Sequence, residues 1–212
     1  MVVPLKNLLK KRSQQELALL QDEVVDLLYS IEPGAVLHGG TSIWRCYAGK
    51  RFSEDLDFYL KPKNNFKEKL EVETKKRGLK VVKFRETENS IYAKISNTTT
   101  ECSLEIALRN KKGTLGFYEK ADGTTMNILV LTQEELIIEK AKAFKGRKLI
   151  RDIYDVFFML GQVDLSKVGK EIGEILRESE KPVDEKNLKT LVYSGITPTF
   201  EQMITLIKVR TK

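Results

Sequence analysis

Cysteine is scarce in this 212-residue chain: Cys46 and Cys102 are its only two, and their spacing suits neither a disulfide framework nor a thiolate metal site. Histidine occurs once, as His38. It reads as a structurally satisfied strand-end residue rather than a general base. There is no apolar run long enough to span a bilayer, no secretory pattern before the first helix, no internal repeat and no low-complexity segment, so a cytoplasmic, non-membrane protein is expected. Charge is plentiful. Thirty-seven basic against thirty acidic side chains leave a formal +7, a mild excess that favours a polyanionic partner such as RNA. The basic clusters Lys75-Lys76-Arg77, Lys111-Lys112 and Lys145 to Lys148 each read, singly, as solvated surface.

Against this background one stretch carries chemistry. Ala35-Val36-Leu37 reads as a short buried strand. Gly39-Gly40-Thr41-Ser42 then lets the backbone turn and approach a ligand closely before a helix over Ser42 to Ala48. Thr41 or Ser42 is placed to cap that helix, whose exposed N–H groups and positive dipole end suit an anion such as a triphosphate. A strand over Phe52 to Leu60 follows, in which Asp55 and Asp57 share a face while Leu56 and Phe58 turn to the core. Adjacent carboxylates suit Mg²⁺ or Mn²⁺, and two such ions roughly 3.5–4 Å apart clamp the attacking and leaving oxygens of an in-line displacement.

Gly39-Gly40-Thr41 together with Arg51-Phe52-Ser53-Glu54-Asp55-Leu56-Asp57-Phe58 resembles the first signature of the AbiEii/AbiGii toxin family, nucleotidyltransferases of the polymerase-β-like superfamily. The resemblance implies an α+β fold. A mixed sheet with flanking helices would occupy residues 1–131, and a helical domain over 132–212 would complete the nucleotide site. It also implies the activity: metal-dependent transfer of a nucleotide from a nucleoside triphosphate to an RNA acceptor, possibly tRNA, by the toxin of a toxin–antitoxin pair held in check by its antitoxin. A protein or small-molecule hydroxyl as acceptor, or nucleotide binding without turnover, are the alternatives.

A third carboxylate is expected downstream. In Thr100-Glu101-Cys102-Ser103-Leu104-Glu105-Ile106-Ala107-Leu108 the apolar residues alternate with a polar face holding both Glu101 and Glu105. Glu105, in the middle of the run, is preferred as metal ligand and proton acceptor, with Glu101 the alternative. Arg51 and Ser53 read as triphosphate contacts or as residues that shape the strand entry.

Thr132-Gln133-Glu134-Glu135 is a capping box opening a helix whose apolar stripe includes Lys140. The lysine either snorkels past the core or, as the resemblance implies, neutralises triphosphate charge. After an expected interruption at Gly146, a helix from Arg147 to Phe158 carries Arg151-Asp152-Ile153-Tyr154-Asp155, which resembles the family's second signature. The resemblance assigns Asp152 to nucleotide placement or to orienting Lys140. Arg151 and Asp155 have the spacing of an i,i+4 ion pair. Elsewhere, a capping box at Ser13-Gln14-Gln15-Glu16 starts a long first helix, strands are expected over Lys80 to Phe84, Ser90 to Ile95 and Thr125 to Leu131, and helices over 170–178, 184–193 and 199–209.

Overall fold

The computed structural model describes residues 3–212. Two compact units result, one of residues 3–46 and 52–131, the other of 47–51 and 132–212. The first is built on a seven-stranded mixed sheet. Its strands are β1 (Val36–His38), β2 (Leu56–Tyr59), β3 (Lys80–Glu86), β4 (Ser90–Ser96), β5 (Glu101–Ala107), β6 (Thr114–Glu119) and β7 (Thr125–Val130), in the order β3-β4-β5-β2-β1-β7-β6. β2 runs parallel to β5 and β1 parallel to β7, while every other pairing is antiparallel.

Four helices belong to this unit: α1 (Leu5–Leu8), α2 (Arg12–Ile31), α3 (Gly39–Cys46) and α4 (Phe66–Lys76). The strands alternate as their sequence requires. On the inner side, Leu37, Phe58, Ile106 and Ile91 are register partners across β1, β2, β5 and β4, and all are buried with Leu20, Val24, Leu27 and Leu28 of α2.

Several expected boundaries move for physical reasons. β2 covers only Leu56–Tyr59, because Phe52 to Asp55 is an extended loop pinned from α2 rather than paired with a strand. The expected Ser13 cap does not form: α2 begins at Arg12 after Lys11, and the Glu16 carboxylate binds the Arg12 guanidinium at 2.8 Å. β6 was not expected, because it is an edge strand in which Leu115 and Phe117 are largely exposed and Tyr118 alone is buried.

The second unit is helical: α5 (Gln133–Arg147), α6 (Ile150–Met159), α7 (Leu165–Ile175), α8 (Leu188–Leu191) and α9 (Phe200–Arg210). The capping boxes at Thr132 and Thr199 both form. Gly146 does not break α5. The chain turns instead at Lys148, which takes a left-handed conformation (φ 52°) while its N–H closes on the Phe144 carbonyl at 2.8 Å. The helix expected over 184–193 is reduced to a 3-10 turn, Glu185–Asn187, and the four residues of α8. Val192 leaves that helix to bridge Arg51, and Tyr193 binds the Lys50 and Gly49 carbonyls through its N–H (3.1 Å) and its hydroxyl (2.7 Å). These contacts stitch residues 47–51 into the helical unit.

Candidate active site

The open face of the sheet carries one continuous row of polar side chains. His38 of β1 is the register partner of Asp57 on β2, Asp57 of Glu105 on β5, Glu105 of Tyr92 on β4, and Tyr92 of Arg85 on β3. Register partners point to the same side of a sheet, so five strands present these groups together. They line a groove of ≈ 560 Å³ to which Lys83 also contributes. His38 stacks on the Tyr59 ring, centroids 3.8 Å apart.

The row also separates the two candidate glutamates. Glu105 lies directly beside Asp57, whereas Glu101 lies four residues away along β5, about 13 Å at the strand rise, and its carboxylate binds Lys94 at 2.9 Å. Asp55 precedes β2 and is half-buried. Among the described residues no three His, Cys, Asp or Glu side chains converge closely enough to hold a metal. The donors are nonetheless hard carboxylates of the kind Mg²⁺ and Mn²⁺ take, with Asp57 and Glu105 on adjacent paired strands; like charges this close repel and come within coordinating range of each other around a cation.

The glycine loop is shaped around Asp57. Gly39 has φ +74°, and a Cβ there would overlap the Asp57 carboxylate, 2.8 Å from its Cγ, so both the backbone angle and the close approach demand glycine. α3 begins at Gly39 itself, earlier than expected. The hydroxyls of Thr41 and Ser42 do not cap it but donate, Thr41 to the Asp55 carbonyl at 2.6 Å and Ser42 to the Gly39 carbonyl at 2.8 Å. Thr41 thus ties the loop to the Asp55 backbone.

A buried network unforeseen in the sequence holds the other side of that segment. The Gln21 carboxamide of α2 donates to the Ser53 and Glu54 carbonyls, 2.9 Å each, and accepts from Arg45 at 3.3 Å. Arg45, fully buried, also binds the Ala18 carbonyl at 2.9 Å, approaches Asp22 at 3.4 Å and lies over the Trp44 ring at 4.0 Å. Burial raises the Asp22 carboxyl above its ordinary value, against the opposing pull of Arg45. The available signal was the polar pair Gln21-Asp22 inside an otherwise apolar helix stripe.

In the helical unit the second signature forms a chain of charges. Arg51 grips Asp155 with two hydrogen bonds of 2.6 Å, and Arg147 grips Asp152 with bonds of 2.7 and 2.8 Å. Lys140 lies between them, its Nζ 3.1 Å from Asp155 and 3.5 Å from Asp152. Both aspartates are almost wholly buried, as are Arg51 and Lys140. Burial alone would raise the Asp152 carboxyl, but the Arg147 hydrogen bonds and the charges of Lys140, Arg147 and Arg51 hold it below the usual carboxylate value. The expected Arg151–Asp155 pair does not form. Asp155 takes Arg51 and Lys140 instead, and the Arg151 Nε is buried with no hydrogen-bond partner among the described residues.

Comparison with known proteins decides the family. The profile of the AbiEii nucleotidyl transferase toxins of type IV toxin–antitoxin systems matches residues 26–205. The chain belongs to this family. It is therefore a nucleotidyltransferase, and membership implies a nucleotide substrate and an antitoxin partner. No curated protein sequence matches the chain. Among solved structures it is similar to MenT4, a nucleotidyltransferase toxin of Mycobacterium tuberculosis H37Rv (18% identity, TM-score 0.62, covering 94% of this chain and 82% of that one). It is also similar to JHP933 of Helicobacter pylori (20%, 0.59, 92% and 90%) and to ANT(2″)-Ia in complex with adenylyl-2″-tobramycin (13%, 0.50, 76% and 97%). At these identities the structures establish the shared α+β nucleotidyltransferase fold. No helix among the described residues is long and apolar enough to cross a membrane.

Within the family's frame, both signatures occupy structured positions. The first lies in the loop and strand beside Glu105, the second in the Lys140 cluster. Sequence reasoning missed Arg85 and Tyr92, which the register brings into line with the carboxylates, and Gln21, which anchors the loop before them.

Proposed function

We propose that this toxin transfers a nucleoside monophosphate from a nucleoside triphosphate to a hydroxyl of an RNA, tRNA being the first candidate, in the cytoplasm. The observation that carries the reading is the pairing of Asp57 with Glu105 beneath the Gly39 turn. Asp55, Asp57 and Glu105 would hold Mg²⁺ or Mn²⁺, which when bound neutralises phosphate charge and lowers the pKa of the attacking hydroxyl.

The chain's own groups do the rest. The first turn of α3, opened by Gly39 and Gly40, faces its N–H groups and dipole toward the triphosphate, while Thr41 fixes Asp55 from behind. Glu105 accepts the proton of the acceptor hydroxyl as its oxygen bonds to the α-phosphorus and the bond to the β-phosphate oxygen breaks, releasing pyrophosphate. Ser53, whose carbonyl is held by Gln21, shapes the approach to Asp55. In this reading Lys140 supplies the cation that neutralises triphosphate charge. Its ammonium donates to Asp152 at 3.5 Å and lies 3.1 Å from Asp155 as an ion-pair partner, which fixes the cation in place. Asp152, Asp155 and, through Asp155, Arg51 are then positioning residues for Lys140 rather than phosphate contacts themselves.

The test incubates the protein with Mg²⁺, total tRNA and each α-³²P-labelled nucleoside triphosphate, beside an Asp55→Ala/Asp57→Ala control. Label on RNA that vanishes in the control supports the proposal and names the nucleotide. Label on protein or on a small soluble product overturns the RNA acceptor, and triphosphate binding without pyrophosphate release overturns turnover.

A further inference from the structure

Beyond Glu105 the row of side chains continues across β4 and β3 and changes character from acidic to basic and aromatic. Tyr92 adjoins Glu105, Arg85 adjoins Tyr92, and Lys83 lines the same groove with its Nζ 5.4 Å from the Tyr92 ring centroid. Lys83 and Arg85 are exposed, and among the described residues neither side chain has an acidic partner, in contrast to Lys94 on the same face, which Glu101 neutralises. Two uncompensated cations flanking a half-buried aromatic ring, in a groove that runs to the catalytic carboxylates, match the chemistry of single-stranded nucleic acid: phosphates on the cations and a base on the ring. Strand spacing puts the Arg85 backbone about 14 Å from that of Asp57, a reach suited to the nucleotides that precede a terminal hydroxyl rather than to the triphosphate at the Gly39 turn.

We infer that Lys83, Arg85 and Tyr92 form the acceptor platform, holding the single-stranded end of an RNA so that its terminal hydroxyl lies at Asp57 and Glu105. The inference rests on the RNA acceptor proposed above. β3 is the sheet's edge strand and is bulged between Val81 and Lys83, so the residues from Lys83 onward are re-aimed relative to a regular edge, and further edge pairing is discouraged.

The experiment compares wild type with Lys83→Ala/Arg85→Ala and with Tyr92→Ala, using a tRNA and a short single-stranded RNA carrying the same 3′ end. It measures kcat and KM separately for RNA and for the triphosphate, and RNA binding against salt. The platform requires KM for both RNAs to rise about tenfold or more in each variant with KM for the triphosphate unchanged, because Lys83, Arg85 and Tyr92 would touch acceptor alone. It also requires the salt slope of the charge variant to fall by about 0.7 for each phosphate that the variant no longer neutralises. If wild type labels RNA and the variants match it in RNA KM and salt slope, the platform is wrong while the transferase reading stands. A rise in triphosphate KM assigns these residues to the nucleotide and overturns the inference. If wild type labels no RNA at all, the acceptor reading itself has failed, and the platform fails with it. Tyr92→Phe, which keeps the ring, should retain the wild-type RNA KM; a loss equal to that of Tyr92→Ala would trace the effect to the Tyr92 hydroxyl, 3.4 Å from Ser103, and against stacking.

Discussion

Arg51→Met isolates the energetic logic of the helical unit. Asp155 is 1% exposed and is paired with two cations, Arg51 through two bonds of 2.6 Å and Lys140 at 3.1 Å. Methionine fills much of the arginine's volume but leaves the carboxylate with only the lysine. Removing one partner of a buried ion pair costs about 3–5 kcal/mol, because the remaining charge is desolvated without compensation. Replacing both partners by apolar groups often costs little, so Arg51→Met/Asp155→Leu should recover most of the loss. A deficit of about 1 kcal/mol should persist, since Lys140 then keeps only the longer contact to Asp152. Urea unfolding followed by far-UV circular dichroism reads the helices, while fluorescence of Trp44, the sole tryptophan, reads the α/β unit. The reasoning is refuted if Arg51→Met costs less than about 1 kcal/mol, or if the double variant is as unstable as the two single variants added together.

Three other outcomes follow from the structure. Gly39→Ala forces a side chain into a left-handed turn and into the Asp57 carboxylate, so it should cost about 1–3 kcal/mol in thermal unfolding and reduce nucleotide transfer far more than that loss of folded protein explains. Asp152 has a folded pKa held below its ordinary 3.8, so the stability it contributes is fully present above that value and is lost as pH falls through the lower folded value; Asp152→Asn should flatten the acid limb of stability there, measured as unfolding free energy against pH. Burial pushes the Cys46 thiol up to about 12 and the Cys102 thiol higher still, so both should react with a disulfide reagent at mildly alkaline pH only slowly in the folded protein and rapidly in urea; fast labelling of the native chain would refute the burial argument.

What could be read from the chain depended on whether the signal was local. The Gly39 turn, the Thr132 cap and the placement of Lys140 among buried residues are properties of neighbouring residues and appear in the structure, whereas Asp55, expected on the strand with Asp57, lies in the loop before β2. The helix break at Lys148 was misplaced because a left-handed lysine carries no sequence mark comparable to glycine. The Arg51–Asp155 fork was missed for a different reason: it joins residues 104 positions apart, and an i,i+4 partner, Arg151, offered a nearer and incorrect explanation.

The open face of the sheet shows the same limit at its sharpest. Alternation along Ser90–Ser96 and Glu101–Ala107 shows which residues share a face, and so puts Glu101 and Glu105 together, with only the mid-run position favouring Glu105. The order of strands and their register add that Glu105, not Glu101, is the partner of Asp57. With β5 beside β2 and Asp57 opposite Glu105, the pairing that places Glu105 next to Asp57 also draws Tyr92 and Arg85 into its line, although neither belongs to a motif. A one-residue slip of β4 on β5 would turn Tyr92 to the core and leave the carboxylates without their basic and aromatic extension. The buried partners Ile91 and Ile106 resist that slip, so the packing of the inner face sets the chemistry displayed on the outer one.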